Sequence, residues 1–210
     1  MRTLKTNQEF YDEAKATMTG QWGIAAGTTF IYMFLVNILG MIPYIGNLSF
    51  LIAGPFMLGF TYFIISLNNR DNPNIEQLFS GFNDFVRSCL AYIVMMIFIL
   101  LWTLLFIIPG IMAGYSYSMT FYILAKDKDI PFMDALRESR EMMDGHRMRL
   151  FYLHLKFLGW AILAIFTLGI GFLWLVPFMN VAVYKFFQDL KGDEDDNEFD
   201  QLADHLVTDF

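Results

Sequence analysis

Charge is what this sequence lacks over most of its length. Three stretches, 16–69, 88–125 and 157–184, contain no Asp, Glu, Lys or Arg. A helix needs about 20 apolar residues to cross the hydrocarbon of a bilayer, so the first two stretches each have room for about two such helices. Charged residues make up only 17% of the chain, against about 25% in an ordinary soluble domain. The composition therefore predicts an integral membrane protein.

The sequence also lacks a second cysteine for a disulfide and the features of a cleavable leader. Cys89 is the single cysteine, so no disulfide can form within the chain and no oxidising compartment is implied. Residues 1–20 are polar and lack the apolar core of a signal peptide. We therefore expect the first apolar helix itself to direct insertion.

Turn-forming residues divide the uncharged stretches into six predicted spans. Gly, Pro and Asn cluster at 40–47, and a Pro-Gly pair lies at 109–110. The third stretch makes two spans if its flanks are included, with a break at the Gly-Ile-Gly sequence 169–171. The predicted spans cover residues 22–39, 48–68, 87–108, 110–125, 150–168 and 171–190.

The basic residues predict the orientation. All 14 Lys and Arg lie outside the three uncharged stretches. With six spans, the segments that carry them fall on one side, and an excess of Lys and Arg marks the cytoplasmic side. We expect both termini in the cytoplasm and three uncharged external turns. Residues 1–190 form the predicted membrane domain, and 191–210 form an acidic cytoplasmic tail.

The acidic tail accounts for the net charge of −7, because residues 192–210 contain acids but no Lys or Arg. Phe199, Leu202 and Leu206 recur there at helical spacing, which predicts an amphipathic helix. Such a helix would dock on the basic face of its own bundle, on a second copy or on a soluble partner. A disordered tail is the alternative. The basic face comprises Arg137, Arg140, Arg147 and Arg149.

A short amphipathic segment that ends in glycine precedes each pair of spans. Gly20, Gly81 and Gly145 each stand where a left-handed helix C-cap is expected. The pattern predicts three units, each an interfacial helix followed by a helical hairpin. The predicted apolar faces comprise Phe10, Ala14 and Met18, then Ile75, Leu78 and Phe79, then Phe132, Leu136, Ser139 and Met143.

An interfacial motif spans the end of the third segment and the start of the fifth span. We interpret Ser139 as a packing residue, because no Gly-x-Ser-x-Gly sequence surrounds it. Histidine suits acid–base chemistry, but we interpret His146 as an interfacial residue at a helix junction. Ion pairs are expected between Arg137 and Glu141 and between Arg140 and Asp144. The motif comprises Ser139, Met143, Gly145, His146, Arg147 and Arg149, and its last two residues are expected to meet lipid phosphates.

The polar residues within the spans allow two interpretations. They could line a pathway for an uncharged or amphiphilic molecule, because each proline leaves a backbone carbonyl unpaired. They also suit contacts between helices, with Gly27, Gly54, Gly59, Gly114 and Gly159 allowing close approach, and we favour this second interpretation. These residues are Asn180, Tyr115, Ser116, Tyr117, Ser118, Pro55 and Pro177.

Three quoted segments resemble a known family. They are LLWTLLFIIPGIMAGYSYSMTFYILAKD at 100–127, DALRESREMMDGHRMRLFYLHLKFLGW at 134–160 and FTLGIGFLWLVPFM at 166–179. Their order and content resemble the bacterial integral membrane family catalogued as "domain of unknown function 975", over about residues 10–190. The resemblance implies a helical fold in the bacterial cytoplasmic membrane and implies no activity.

The sequence thus predicts an all-α, polytopic membrane protein without a catalytic, cofactor or metal site. The three histidines lack ligand spacing, no nucleotide-binding or HExxH motif occurs, and the span centres carry no ionisable residue. We expect action through lipid or protein contacts; a passive channel or transporter for an uncharged or amphiphilic solute is the alternative, and an enzyme acting on lipid ranks third. Membrane lipids are the expected partners, a protein partner or second copy is a further candidate, and nucleic acid is not expected.

Overall fold

The computed structural model describes residues 5–41 and 46–208, with side chains at 5–38 and 52–192. These residues form helices and no strands, as predicted, and a 3₁₀ turn at Gly81–Asp84 precedes the fifth helix. Residues 42–45 of the predicted break at 40–47 lie outside the described residues. The helices are α1 (Asn7–Met18), α2 (Trp22–Met41), α3 (Gly46–Asn69), α4 (Gln77–Ser80), α5 (Phe85–Leu105), α6 (Ile107–Ser116), α7 (Thr120–Lys126), α8 (Phe132–Met142), α9 (Arg147–Phe166) and α10 (Phe172–Thr208).

Several helices are compatible with a bilayer. In the described part of the chain, three stretches are long and apolar enough to cross a membrane, namely Gln77–Leu105, Ile107–Lys126 and Arg147–Phe166. Helices that are neighbours in sequence pack together, since α2 contacts α3, α5 contacts α6 and α9 contacts α10. Helix α10 also contacts α1, α2 and α3, which places it centrally.

Helix α1 has the apolar face that its sequence predicts. Phe10, Ala14 and Met18 are fully buried, and the helix packs mainly on α10. Its first turn is a capping box, in which the Thr6 N–H donates to Glu9 Oε2 at 2.6 Å and the Glu9 N–H donates to Thr6 Oγ1 at 3.3 Å. The backbone and hydroxyl hydrogen bonds from Thr6 hold the pKa of Glu9 below its usual value. The capping box therefore sets the start of α1, and tertiary packing covers its apolar face.

The three segment-ending glycines have two different roles. Gly20 and Gly145 have φ values of +86° and +74°, so both adopt the predicted left-handed conformation. The prediction is wrong for Gly81, whose φ is −64°. A Cβ on Gly81 would overlap the carbonyl group of Pro55. This glycine is therefore needed for close approach to α3.

A glycine seam, formed by Gly54, Gly59 and Gly81, joins α3 to the α4–α5 region. A Cβ on Gly54 would overlap the Ser88 carbonyl, and one on Gly59 would overlap the Leu78 carbonyl. Backbone thus packs directly on backbone, which the missing glycine side chains allow. The predicted close approach is wrong for three other glycines, around which the described atoms leave open space: Gly27, Gly114 and Gly159.

The turn after α5 differs from the predicted break at 109–110. Phe106 alone separates α5 from α6, and its backbone is extended at φ −157° and ψ 142°. Pro109 lies in the first turn of α6, where a proline is tolerated because no intrahelical partner awaits its missing N–H. The predicted fourth span is not one continuous helix, because α6 ends at Ser116 and α7 begins at Thr120.

The other interfacial segments pack on the protein in different ways. In the second, Leu78 is buried but Phe79 is exposed. In the third, helix α8 packs on α7 and α5 and buries Leu136, Ser139 and Met142, with Met143 buried just beyond its end. The ion pairs differ from those expected, because Arg140 makes none with the described residues, and Arg137 and Arg147 each pair with an acid three residues earlier. Arg137 pairs with Asp134 at 3.0 Å, and Arg147 pairs with Asp144 at 3.3 Å.

Arg87 ties α5 to the segment between α7 and α8. Its guanidinium donates hydrogen bonds to the carbonyls of Leu124 at 3.1 Å and Asp127 at 3.0 Å, and it pairs with Asp84 at 3.1 Å. A side chain that pairs the last carbonyls of a helix stabilises its C-terminus. At the other end of the chain, α10 continues to Thr208. The predicted docking of the acidic tail stays a prediction, because the side chains involved lie outside the described residues.

Candidate functional site

The fold brings polar residues of the predicted spans together with residues of the interfacial motif. A cleft of about 230 Å³ lies between the α5–α6 hairpin and the α8–α9 junction. Ser116 and Tyr117 come from the polar residues of the spans, and Arg147 comes from the interfacial motif. We call it the arginine cleft. It is lined by Trp102, Pro109, Met112, Ala113, Ser116, Tyr117, Arg140 and Arg147.

Ser139 holds the helix interruption beside this cleft. Its Oγ donates to the Ser116 carbonyl at 2.9 Å and accepts from the Met119 N–H at 3.2 Å. Ser139 is fully buried, and buried backbone groups that lose helical partners need replacements. The side chain therefore does more than pack, because it pairs both sides of the gap between α6 and α7.

The arginine cleft has a cationic end and an apolar end. Arg147 pairs with the exposed Asp144, and its buried Nε has no hydrogen-bond partner among the described residues. Arg140 is exposed and makes no ion pair with the described part of the chain. Trp102, Pro109 and Met112 supply the apolar lining. Such a cleft is suited to a ligand that joins an anionic group to a hydrocarbon chain.

Arg149 is directed into the protein, so our expectation that it meets phosphates is corrected. Its guanidinium lies 3.3 Å from the buried Asp189 carboxylate and donates to the Lys5 carbonyl at 2.8 Å. It also lies 5.3 Å from the centre of the Phe186 ring. Sequence reasoning missed Asp189, although an acid inside the largely apolar sequence VYKFFQDL was a signal for a buried ion pair.

The junction before α9 is built from the remaining motif residues. Met143 is fully buried, whereas Gly145 is exposed with its left-handed backbone. His146 precedes α9, and its Nδ1 lies 3.3 Å from Arg149 Nη1. In the described chain, His, Cys, Asp and Glu form no group of three that could hold a metal ion. The junction thus directs the chain from α8 into α9.

Replacing Gly145 by alanine is expected to lower the free energy of unfolding by about 1 kcal/mol, because a Cβ disfavours φ +74°. Neighbouring atoms do not contribute, since the described structure leaves open space around that Cβ. The measurement is SDS-induced unfolding of the purified protein in detergent micelles. Gly114→Ala, within α6 and with similar space, is the control and should not destabilise. Equal stability of the two variants would contradict the prediction.

The other polar span residues lie outside the lining of the arginine cleft. Tyr115 packs on Phe151 and His154, with ring centres 6.0 and 5.6 Å apart. Asn180 donates to the Val176 carbonyl at 2.9 Å, and its own carbonyl accepts from the Tyr122 hydroxyl at 3.3 Å. Ser118 donates to the Tyr115 carbonyl at 2.7 Å. Pro55 and Pro177 lie within α3 and α10, respectively.

A second, larger cleft of about 380 Å³ lies between α1, α2, α9 and α10. Three tryptophans line it, namely Trp22, Trp160 and Trp174, and we call it the tryptophan cleft. Lys15 is the cationic residue of its lining. The tryptophan cleft offers more hydrocarbon contact than the arginine cleft but fewer groups that could recognise a particular ligand.

These observations define a helical protein with apolar helices long enough to cross a membrane and a basic cleft at a helix junction. The chain belongs to the family described as "Protein of unknown function (DUF975)", which it matches over residues 1–113 and 104–194. This match confirms the resemblance found in the sequence. Searches of curated proteins and of solved structures found no match.

Proposed function

We propose that the protein is a non-catalytic integral membrane protein that binds anionic phospholipid in its arginine cleft. Its helices insert into the bacterial cytoplasmic membrane as three hairpins, α2–α3, α5–α7 and α9–α10, with the basic segments and both termini on the cytoplasmic side. Exposed apolar side chains along α5 and α9 support insertion, because a contiguous apolar surface of this kind suits hydrocarbon rather than water. They include Ile97, Leu100, Leu101, Leu155, Leu158 and Ile162.

The observation that carries lipid binding is the pair of guanidinium groups in a cleft with an apolar end. Arginine binds phosphate oxygens through paired, charge-assisted hydrogen bonds. Arg140 has no ion-pair partner in the described chain, and the partner of Arg147 is a largely exposed Asp144. Both side chains therefore keep donors for a headgroup. An acyl chain would follow Met112 and Pro109 of α6 and Trp102 of α5.

Two further features support lipid contact over a solute pathway. The Ser116 hydroxyl donates to the Met112 carbonyl at 2.8 Å, and the Ser118 hydroxyl donates to the Tyr115 carbonyl at 2.7 Å. Hydroxyls that are paired internally offer little to a polar solute. The tryptophan cleft provides additional space for an acyl chain near Lys15.

The test compares lipid retention by wild type, an Arg140→Ala and Arg147→Ala double variant, and Arg137→Ala. Arg137 is the matched control, since it lies on α8, is exposed and lies outside the lining of the cleft. Native mass spectrometry would compare phosphatidylglycerol with phosphatidylcholine. We expect the double variant to bind phosphatidylglycerol about 10-fold more weakly or worse, because a hydrogen bond to a charged group contributes about 1.5–3 kcal/mol.

Three results would contradict the proposal. Equal binding of the two lipids by wild type would remove the role of headgroup charge. Equal loss in the Arg137→Ala control would show a general effect of positive charge instead of a site. Lipid recovered in chemically altered form would argue for an enzyme.

A further inference from the structure

We infer that the α5–α6 hairpin enters the bilayer from the cytoplasmic side and turns back inside the hydrocarbon. Its turn, residues 104–108, would then contact lipid acyl chains and would not reach external water. This inference rests on the proposed membrane insertion. It adds that the predicted third and fourth spans do not cross the membrane.

The turn is both apolar and exposed. Its five residues are Leu, Leu, Phe, Ile and Ile, and each residue is between 65% and 84% exposed. Turns in water are ordinarily rich in Gly, Asn, Asp and Ser. Trp102 and Ile111 extend the exposed apolar surface down both helices. The surface is therefore continuous with the lipid-facing sides of α5 and α6.

The irregular backbone of the turn is short. Only Phe106 separates the two helices, and its N–H donates to the Trp102 carbonyl at 3.0 Å. The Gly110 N–H donates in turn to the Phe106 carbonyl at 3.2 Å, and Pro109 has no N–H to satisfy. Inside a bilayer, irregular backbone is unfavourable because unpaired polar groups find no water there. A one-residue connection keeps such backbone to a minimum.

The depth of insertion follows from the length of α6. This helix has 10 residues between the turn and Ser116, which corresponds to about 15 Å at 1.5 Å per residue. At Ser116 it meets Ser139 of α8, and Arg140, the next residue of α8, is exposed. If the turn reached the far side of about 30 Å of hydrocarbon, the charged face of α8 would lie inside the bilayer. Placing charged side chains there is costly. With Arg140 at the headgroups, the turn lies near the middle of the membrane.

Cysteine labelling tests the position of the turn in a Cys89→Ser background. Leu104→Cys marks the turn, and Lys128→Cys marks the loop between α7 and α8. Cells producing the full chain are treated with a membrane-impermeant maleimide, intact or after permeabilisation. We expect Lys128→Cys to react only after permeabilisation and Leu104→Cys to react in neither condition, although it should react after denaturation in SDS. Reaction of Leu104→Cys in intact or permeabilised cells would overturn the inference.

A depth measurement guards against a merely unreactive thiol. A nitroxide attached at Leu104→Cys in liposomes should be relaxed more by oxygen, which concentrates in hydrocarbon, than by a water-soluble nickel complex. The reverse ranking would overturn the inference. Labelling of Lys128→Cys in intact cells would instead contradict the proposed orientation of the whole protein, so the two failures can be told apart.

Discussion

Replacing Arg149 by methionine is expected to lower the free energy of unfolding by about 3 kcal/mol or more, because it leaves a buried carboxylate without its charged partner. The Asp189 side chain is only 1% exposed, and its Oδ2 receives the Arg149 guanidinium at 3.3 Å and the Lys5 N–H at 3.2 Å. The variant keeps most of the length and apolar volume of the side chain. The loss should be measured by SDS-induced unfolding in micelles.

Two comparisons separate this effect from a general loss of charge. Arg137→Met removes an ion pair whose arginine is 70% exposed, and it should change stability by less than about 1 kcal/mol. Combining Arg149→Met with Asp189→Leu should recover much of the lost stability, because an apolar pair can replace a buried ion pair. Similar unfolding curves for Arg149→Met and Arg137→Met would rule out the proposed role of the buried pair.

Replacing Gly59 by alanine is the second change for which we expect a large effect, a loss of about 2 kcal/mol. The added Cβ would overlap the Leu78 carbonyl, which belongs to the backbone of α4 and cannot rotate away. Helices α3 and α4 would have to separate, and this would loosen the glycine seam. The same unfolding measurement applies.

Gly27→Ala is the matched control for this substitution. Gly27 also lies inside a long apolar helix, but the described atoms leave open space where its Cβ would stand. The better helix propensity of alanine should leave stability unchanged or raise it by up to about 1 kcal/mol. Opposite signs for the two variants are therefore expected. A stabilising effect of Gly59→Ala would show that the seam is less tight than the structure indicates.

The arginines illustrate how little a residue type reveals about its role. The sequence predicts that Arg147 and Arg149 meet lipid phosphates and that Arg140 pairs with Asp144, and it assigns no role to Arg87. In the structure, Arg87 binds backbone carbonyls and Arg149 binds a buried acid. Only Arg140 and Arg147 line the cleft. The carbonyl partners of Arg87 and the carboxylate partner of Arg149 lie about 40 residues along the chain, beyond the reach of local patterns.

The sequence by itself determined those features that depend on near neighbours. The uncharged stretches predicted apolar helices, and the spacing of Phe10, Ala14 and Met18 predicted the buried face of α1. The capping box of Thr6 and Glu9 is equally local. Left-handed backbone at Gly20 and Gly145 followed from the same local rules. These features arise from helical period, propensity and capping, which act within one or two turns.

Tertiary structure alone decided the features that join distant residues. It placed Ser139 at the interruption between α6 and α7, paired Arg149 with Asp189, and set Gly81 against the Pro55 carbonyl. It also brought Ser116 and Tyr117 beside Arg140 and Arg147 to form the arginine cleft. Such contacts depend on how helices cross in space, and a periodic apolar pattern shows which face is buried without showing what covers it.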